Sequence, residues 1–208
     1  MRLTRLFLAL LAGAAILLAG CSKDEDNEGV KINGVTWSKF NVGEPGTFTA
    51  AATDYGMFYQ WDIKVGWSAT DPATGVAIDD WNSGNTGAEG DVWEQANDPC
   101  PTGWRLPTKD EQATLLDVDQ VTVGDFESMN GVNGRKFTDN TTNKSIFFPA
   151  AGYRFYSSGT LLNTSTGYYW SSSPNTPDYA WGLLFDSGSA NQYANWRSAG
   201  LAVRCVRP

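Results

Sequence analysis

The stretch Asp98-Pro99-Cys100-Pro101-Thr102-Gly103-Trp104-Arg105-Leu106-Pro107-Thr108-Lys109-Asp110-Glu111 carries the clearest local signal in the chain. Thr108 and Glu111 form a capping box: the threonine hydroxyl accepts from an early helix N–H and the glutamate reaches back to the cap. A helix is therefore expected from about Lys109, turning Leu115 and Leu116 towards the core. Pro107 fixes its start, because proline cannot extend a helix backwards. No other segment beyond the N-terminal leader has convincing helical periodicity, so strands and irregular loops must make up the rest.

Outward from this helix, the strand candidates are short and rich in aromatics. Val30-Lys31-Ile32-Asn33-Gly34-Val35-Thr36-Trp37 alternates around Asn-Gly, the commonest hairpin-turn pair, and predicts two strands. Tyr55 to Trp61 is a dense aromatic run expected to be buried, and residues 66–97 read as a long packed loop holding Trp67, Trp81 and Trp93. Ser145 to Arg154, Tyr168 to Pro174 and Tyr179 to Phe185 are further strand candidates. Leu201 to Val206 alternates strictly, with Leu201, Val203 and Cys205 on one face and Ala202, Arg204 and Val206 on the other.

Composition excludes several chemistries. The 208 residues include 15 basic and 23 acidic side chains and no histidine. Without imidazole there is no Ser-His-Asp or Cys-His pair and no histidine zinc motif. A net charge of -8 without a Lys/Arg cluster argues against a nucleic-acid partner. Met1 to Arg5 is a basic n-region, and Leu6 to Gly20 is an apolar stretch shorter than the about 20 residues of a bilayer span. It ends in Leu18-Ala19-Gly20-Cys21, which resembles a bacterial lipobox. Residues 1–20 are thus expected to be a lipoprotein signal peptide, with Cys21 carrying the lipid that anchors the chain to the membrane. Residues 21–29, polar and acidic, read as a flexible tether. A Ser-Lys followed by acids directly after such a cysteine resembles the surface-export signal of Bacteroidetes lipoproteins, which implies an outer-membrane protein displayed at the cell surface.

Two cysteines then remain. Pairing Cys100 with Cys205 would close a loop of about 105 residues, for which the chain-entropy model gives about 4.7 kcal/mol. A redox or nucleophilic cysteine is the alternative, although no CxxC supports it.

Six ordered blocks resemble the Fibrobacter succinogenes major paralogous domain: Val30 to Trp37 with Asn41-Val42, Tyr55 to Trp61, Cys100 to Thr108 with Glu111, Pro149 to Arg154, Tyr169 to Ser173, and Val203 to Arg207. That family is similar in pattern to C-type-lectin-like folds, especially the formylglycine-generating branch. The resemblance implies one α+β, C-type-lectin-like domain over residues 30–208. Small antiparallel sheets, one or two short helices, long irregular loops and termini lying close together are expected of it. It does not carry catalysis across, because the formylglycine-generating cysteine pair is incomplete here. Thr176-Pro177-Asp178 only loosely matches the lectin calcium tripeptide, and no metal or other cofactor is expected.

The nine tryptophans invite a sugar-stacking reading, but Trp37, Trp61, Trp104 and Trp170 lie inside the family blocks and are expected in the core. Tyr179, Trp181, Asn191, Tyr193, Asn195, Trp196 and Arg197 combine aromatics, amides and a guanidinium where lectin-like folds place their ligand face. They are the candidate contacts for a glycan or protein ligand. Residues 171–199 also sit where some lectin-like proteins carry a diversified region. The leading expectation is a non-enzymatic, surface-anchored binding protein. A structural subunit or tip component of a surface assembly is the alternative, and a carboxylate-based glycoside hydrolase is the enzyme-class competitor.

Overall fold

The computed structural model describes residues 28–85 and 92–208. The leader, Cys21 and the first part of the tether lie outside the described residues, as do residues 86–91 of the long loop. In chain order the strands are β1 (Gly29–Ile32), β2 (Val35–Asn41), β3 (Met57–Gln60), β4 (Gly66–Ser68), β5 (Val121–Met129), β6 (Val132–Asp139) and β7 (Ser145–Pro149). They continue with β8 (Tyr153–Arg154), β9 (Leu161–Leu162), β10 (Gly167–Pro174), β11 (Tyr179–Phe185), β12 (Ala190–Trp196), β13 (Gly200–Ala202) and β14 (Arg204–Val206). The described α-helix is α1 (Lys109–Ala113), followed by a 3-10 turn at Thr114–Leu116.

These strands form three sheets, ordered β1-β2-β14, β12-β11-β10-β13-β3-β4 with β8 and β9 attached at β13, and β5-β6-β7. The domain is mostly β, with small antiparallel sheets and a short described helix, compatible with an α+β or a mostly-β fold. Its first and last strands share a sheet, both paired with β2. Gly29, assigned to the tether by its sequence context, pairs with Ser38 in β1, and the Glu28 carbonyl accepts from Lys39 N–H, so pairing starts ahead of Val30.

Local chemistry explains the well-read elements. Asn33 and Gly34 both take positive φ, 42° and 83°, as the two-residue hairpin turn requires. The capping box closes as expected: Glu111 N–H donates to Thr108 Oγ1 at 3.1 Å and Thr108 N–H donates to Glu111 Oε2 at 2.8 Å. The helix is a single short turn, held from outside. Gln112 is buried and donates to the carbonyls of Tyr169 and Trp170, while Leu115 enters the core and Leu116 packs on its edge.

Two hydrophobic cores lie on either side of the closing strands. One gathers Trp37, Phe58, Phe137, Phe148, Tyr169, Phe185, Ala202 and Val206; the other gathers Tyr59, Trp61, Trp104, Trp170, Leu201, Val203 and Cys205. The alternation in Leu201 to Val206 therefore separates one core from another, and not core from solvent. The strand also changes sheet at Val203, passing from β13 to β14. The Cys100–Cys205 disulfide joins the segment before α1 to β14. Trp37, Trp61, Trp104 and Trp170 are all buried, as the family blocks imply.

The loop after β4 packs by its tryptophans. Trp81 is buried, donates through Nε1 to the Tyr156 carbonyl at 2.9 Å and tilts against Trp67. Its ring sits so close to Gly159, where φ is 65°, that a Cβ there would lie 2.6 Å from it, so this position requires glycine. Arg154 is fully buried and donates to the carbonyls of Ser68, Pro72 and Gly159, pinning the same loop from below.

Two core phenols predict a pH limit. Tyr59 donates to the Gly43 carbonyl and Tyr169 donates to the Pro149 carbonyl at 2.7 Å. Burial, with Glu44 nearby, pushes Tyr59 far above the ordinary range, and burial pushes Tyr169 up to about 12 against the opposing pull of Arg204 and Asn41. Unfolded tyrosine ionises near pH 10, so the stability these neutral phenols contribute is complete below that and declines as pH rises further. In an ultraviolet titration their phenolate signals should appear only together with loss of near-ultraviolet circular dichroism. Ionisation of all eight tyrosines with native dichroism retained would refute this.

Candidate aromatic surface on the β11–β12 hairpin

The candidate contacts lie on one hairpin. Asp186 starts its turn by accepting from the N–H groups of Gly188 and Ser189 at 2.7 and 2.9 Å, bonds that hold its carboxyl below the usual range. Seven consecutive pairs follow without a register shift, from Phe185 opposite Ala190 to Tyr179 opposite Trp196. Asn191, Tyr193, Asn195 and Trp196, read from the sequence only as ligand-face residues, thus lie on a regular strand at the rim of the largest sheet.

The hairpin concentrates aromatics at its open end. The Trp196 ring lies against Tyr156 at 5.0 Å in a stacked arrangement and against Tyr179 at 4.3 Å, leaving 36% of the residue exposed. Tyr193 is 52% exposed, and Tyr153 packs on Tyr168 at 4.7 Å nearby. Burial first, and then neighbouring phenols including Tyr193, raise Tyr153 and Tyr168, so their hydroxyls stay neutral hydrogen-bonding groups at physiological pH. Among the described residues, Tyr193 and Trp196 are the exposed large aromatics.

The other candidates divide. Asn191 is exposed on the same strand. Trp181 is half-buried and its ring is capped by the Lys109 ammonium at 3.8 Å, so that face is already used. Asn195 is buried and accepts from the Trp196 N–H at 2.9 Å, while Arg197 is 2% exposed, with its guanidinium 4.2 Å above the Trp61 ring. These two support the surface from beneath and do not present themselves to a ligand, a correction to their reading as contacts. Tyr156 joins the surface from the segment after β8, and its placement beside Trp196 is a long-range pairing that the local pattern could not reveal.

A separate open cleft of ≈ 680 Å³ lies between β2 and the segment before α1, lined by Glu28, Phe48, Thr102, Trp104 and Arg207. Its indole is engaged already, by Phe48 edge-on at 5.4 Å and by the Arg207 guanidinium at 4.8 Å. The acids whose ionised forms are favoured are also in structural use. Arg105 grips Glu111 with two bonds of 2.7 and 2.8 Å, and Asp139 accepts from Asn33, Thr141 and Thr142. Among the described residues no three acidic or cysteine side chains converge to hold a metal ion, and no helix is long and apolar enough to cross a membrane.

The family model described as the Lcl C-terminal domain matches residues 32–207. The chain belongs to the Lcl C-terminal domain family. The match takes in the six blocks on which the resemblance to the Fibrobacter succinogenes major paralogous domain rests, the first from Ile32 onward, and agrees with it. No curated protein and no solved structure matches the chain. In this Lcl C-terminal domain both the aromatic hairpin and the disulfide fall inside the matched span.

Proposed function

We propose that this Lcl C-terminal domain is a non-catalytic binding module that holds a glycan or protein ligand on the aromatic surface of the β11–β12 hairpin. The observation that carries this reading is the partly exposed Trp196, stacked on Tyr156 and tilted against Tyr179, with Tyr193 exposed on the same strand. Indole and phenol faces held rigid by their neighbours offer apolar contact to sugar C–H groups or to a protein at little entropic cost. The exposed amide of Asn191 and the tyrosine hydroxyls supply hydrogen bonds around them. A C-type-lectin-like fold is part of the proposal: the shared sheet of first and last strands, the disulfide before α1 and the long loop after β4 support it. So is delivery to the outer surface of the outer membrane by a lipid on Cys21, for which the lipobox-like sequence is the support.

The non-catalytic part rests on the absence of histidine and on the use of Glu111, Asp139 and Asp186 as structural acceptors. Binding of the purified protein to glycan and extracellular-matrix arrays tests the reading. For any ligand found, Trp196→Ala and Tyr193→Ala should each weaken binding about tenfold or more, equivalent to about 1.4 kcal/mol. Their melting temperatures should fall by only a few degrees, since each aromatic contact is worth about 1 kcal/mol to the fold. Arrays with no hit, or variants that bind as well as the parent, would reject the surface.

A further inference from the structure

We infer that β12 is a pairing edge for a second copy of this chain, the two strands running antiparallel about Tyr193 and joining their largest sheets into one. The inference rests on the edge itself and not on the ligand reading. Exposed sheet edges are normally blunted by shortness, bulges, proline or charge. The other described edges follow that rule. β4 has three residues and β1 four, with Lys31 among them. β5 carries a bulge between Val123 and Phe126 together with Asp125 and Glu127. β7 ends in Pro149, and β14 is bridged by Arg105. β12 has none of these features: it runs seven residues in unbroken register, and residues 187–196 carry no charged side chain.

The edge, Ala190-Asn191-Gln192-Tyr193-Ala194-Asn195-Trp196, is uncharged and places identical asparagines two residues either side of Tyr193. Centred on Tyr193, an antiparallel copy sets Asn191 opposite Asn195 and Gln192 opposite Ala194, with no like charges facing across the two-fold axis. The backbone polarity agrees with this register. Arg197 N–H donates inward to the Asp178 carbonyl at 2.9 Å, and antiparallel strands alternate, so the N–H and C=O groups of Gln192 and Ala194 point away from β11. Trp196 N–H, in the same outward phase, is taken up by the Asn195 side chain, which ends the free ladder at that point. Gln192 and Ala194 would then pair with Ala194 and Gln192 of the second copy, and the two Tyr193 residues would face each other as a non-hydrogen-bonded pair. Such an arrangement also brings two aromatic surfaces together on one continuous sheet.

Sedimentation velocity of the purified protein over a concentration series tests the pairing. A reversible dimer is expected, and Ala194→Pro, which removes an outward N–H, should weaken it at least tenfold. Should that variant fail to fold, register-specific crosslinking replaces it. Facing residues at the centre lie about 4.5 Å apart between Cα atoms, within disulfide reach, so Tyr193→Cys should form an intermolecular bond that peptide mapping places at that position. Asn191→Cys should not, since its two copies would be separated by roughly 13 Å along the strands. A monomer at every concentration, a dimer indifferent to Ala194→Pro, or Asn191→Cys crosslinking as readily as Tyr193→Cys overturns the inference. A chain that stays monomeric and adds a different extended peptide along β12 overturns it as well.

Discussion

Arg204→Met should destabilise the domain by about 4 kcal/mol, or prevent it from folding, although the replacement is apolar and of similar length. Arg204 is 1% exposed and lies between the first and third sheets, its guanidinium 4.5 Å above the Phe148 ring. Nε donates to Asn41 Oδ1 at 2.8 Å, while Nη1 and Nη2 donate to the carbonyls of Ser38 and Phe147, each at 3.1 Å. These acceptors come from β2 and β7, so one side chain satisfies polar groups of separate sheets. Each buried acceptor left unpaired costs about 1–3 kcal/mol, and three of them outweigh the desolvation that removing the cation relieves. Burial lowers the Arg204 pKa to about 10, so it remains a cation at neutral pH. Arg204→Lys should recover little, because a single ammonium cannot reach three acceptors held in the planar spread of a guanidinium. Urea denaturation measures both variants. A loss below about 1 kcal/mol for the Met variant would show that those acceptors find water or other donors.

Burial of this arginine was not legible in the sequence, and the reason is physical. Alternation in Leu201 to Val206 identifies two faces, but the usual inference sends a charged residue to solvent. Here both faces are buried because the strand threads between two cores. Turns show the same limit from another side. Asn33-Gly34 was readable because its flanks alternate regularly. Asn130-Gly131, with φ of 51° and 83°, makes an equivalent turn between β5 and β6, yet the bulge after Val123 and the acids at 125 and 127 break the period-two pattern that announces a strand. The capping box was readable because its chemistry is complete within four residues.

The candidate surface was legible as a stretch of aromatics and amides, and neither as a hairpin nor as a surface. Tyr193 and Trp196 are exposed and lie on the edge strand β12. Arg197 and Asn195 looked equally suited to a ligand but are consumed by the sheet, and nothing local separates an arginine over a buried indole from one facing solvent. β12 was missed as a strand because an edge strand with solvent on one side needs few apolar residues, and amides filled the remaining positions.

The second large effect concerns the disulfide. Cys100→Ala with Cys205→Ala should lower stability by about 3 kcal/mol and the melting temperature by roughly 6–12 °C. The two cysteines are 105 residues apart, and fixing so long a loop removes about 4.7 kcal/mol of unfolded-chain entropy in the simple model, with measured losses of about 2–5 kcal/mol. The folded state should keep its local geometry. Arg105 and Val206 exchange backbone hydrogen bonds of 3.0 and 2.8 Å beside the bridge, and the Arg105–Glu111 pair fastens the start of α1 independently. The alanine variant is therefore expected to show a native near-ultraviolet spectrum at low temperature and a lower midpoint on heating. Cys205 is fully buried and Cys100 nearly so, hence reduction of the native protein should proceed no faster than the chain opens. Rapid reduction in native buffer, or a melting temperature within about 2 °C of the parent, would contradict the entropic account. Loss of the native spectrum in the alanine variant would instead show that the bridge, and not the Arg105–Val206 pairing, holds β14 against the segment that leads into α1.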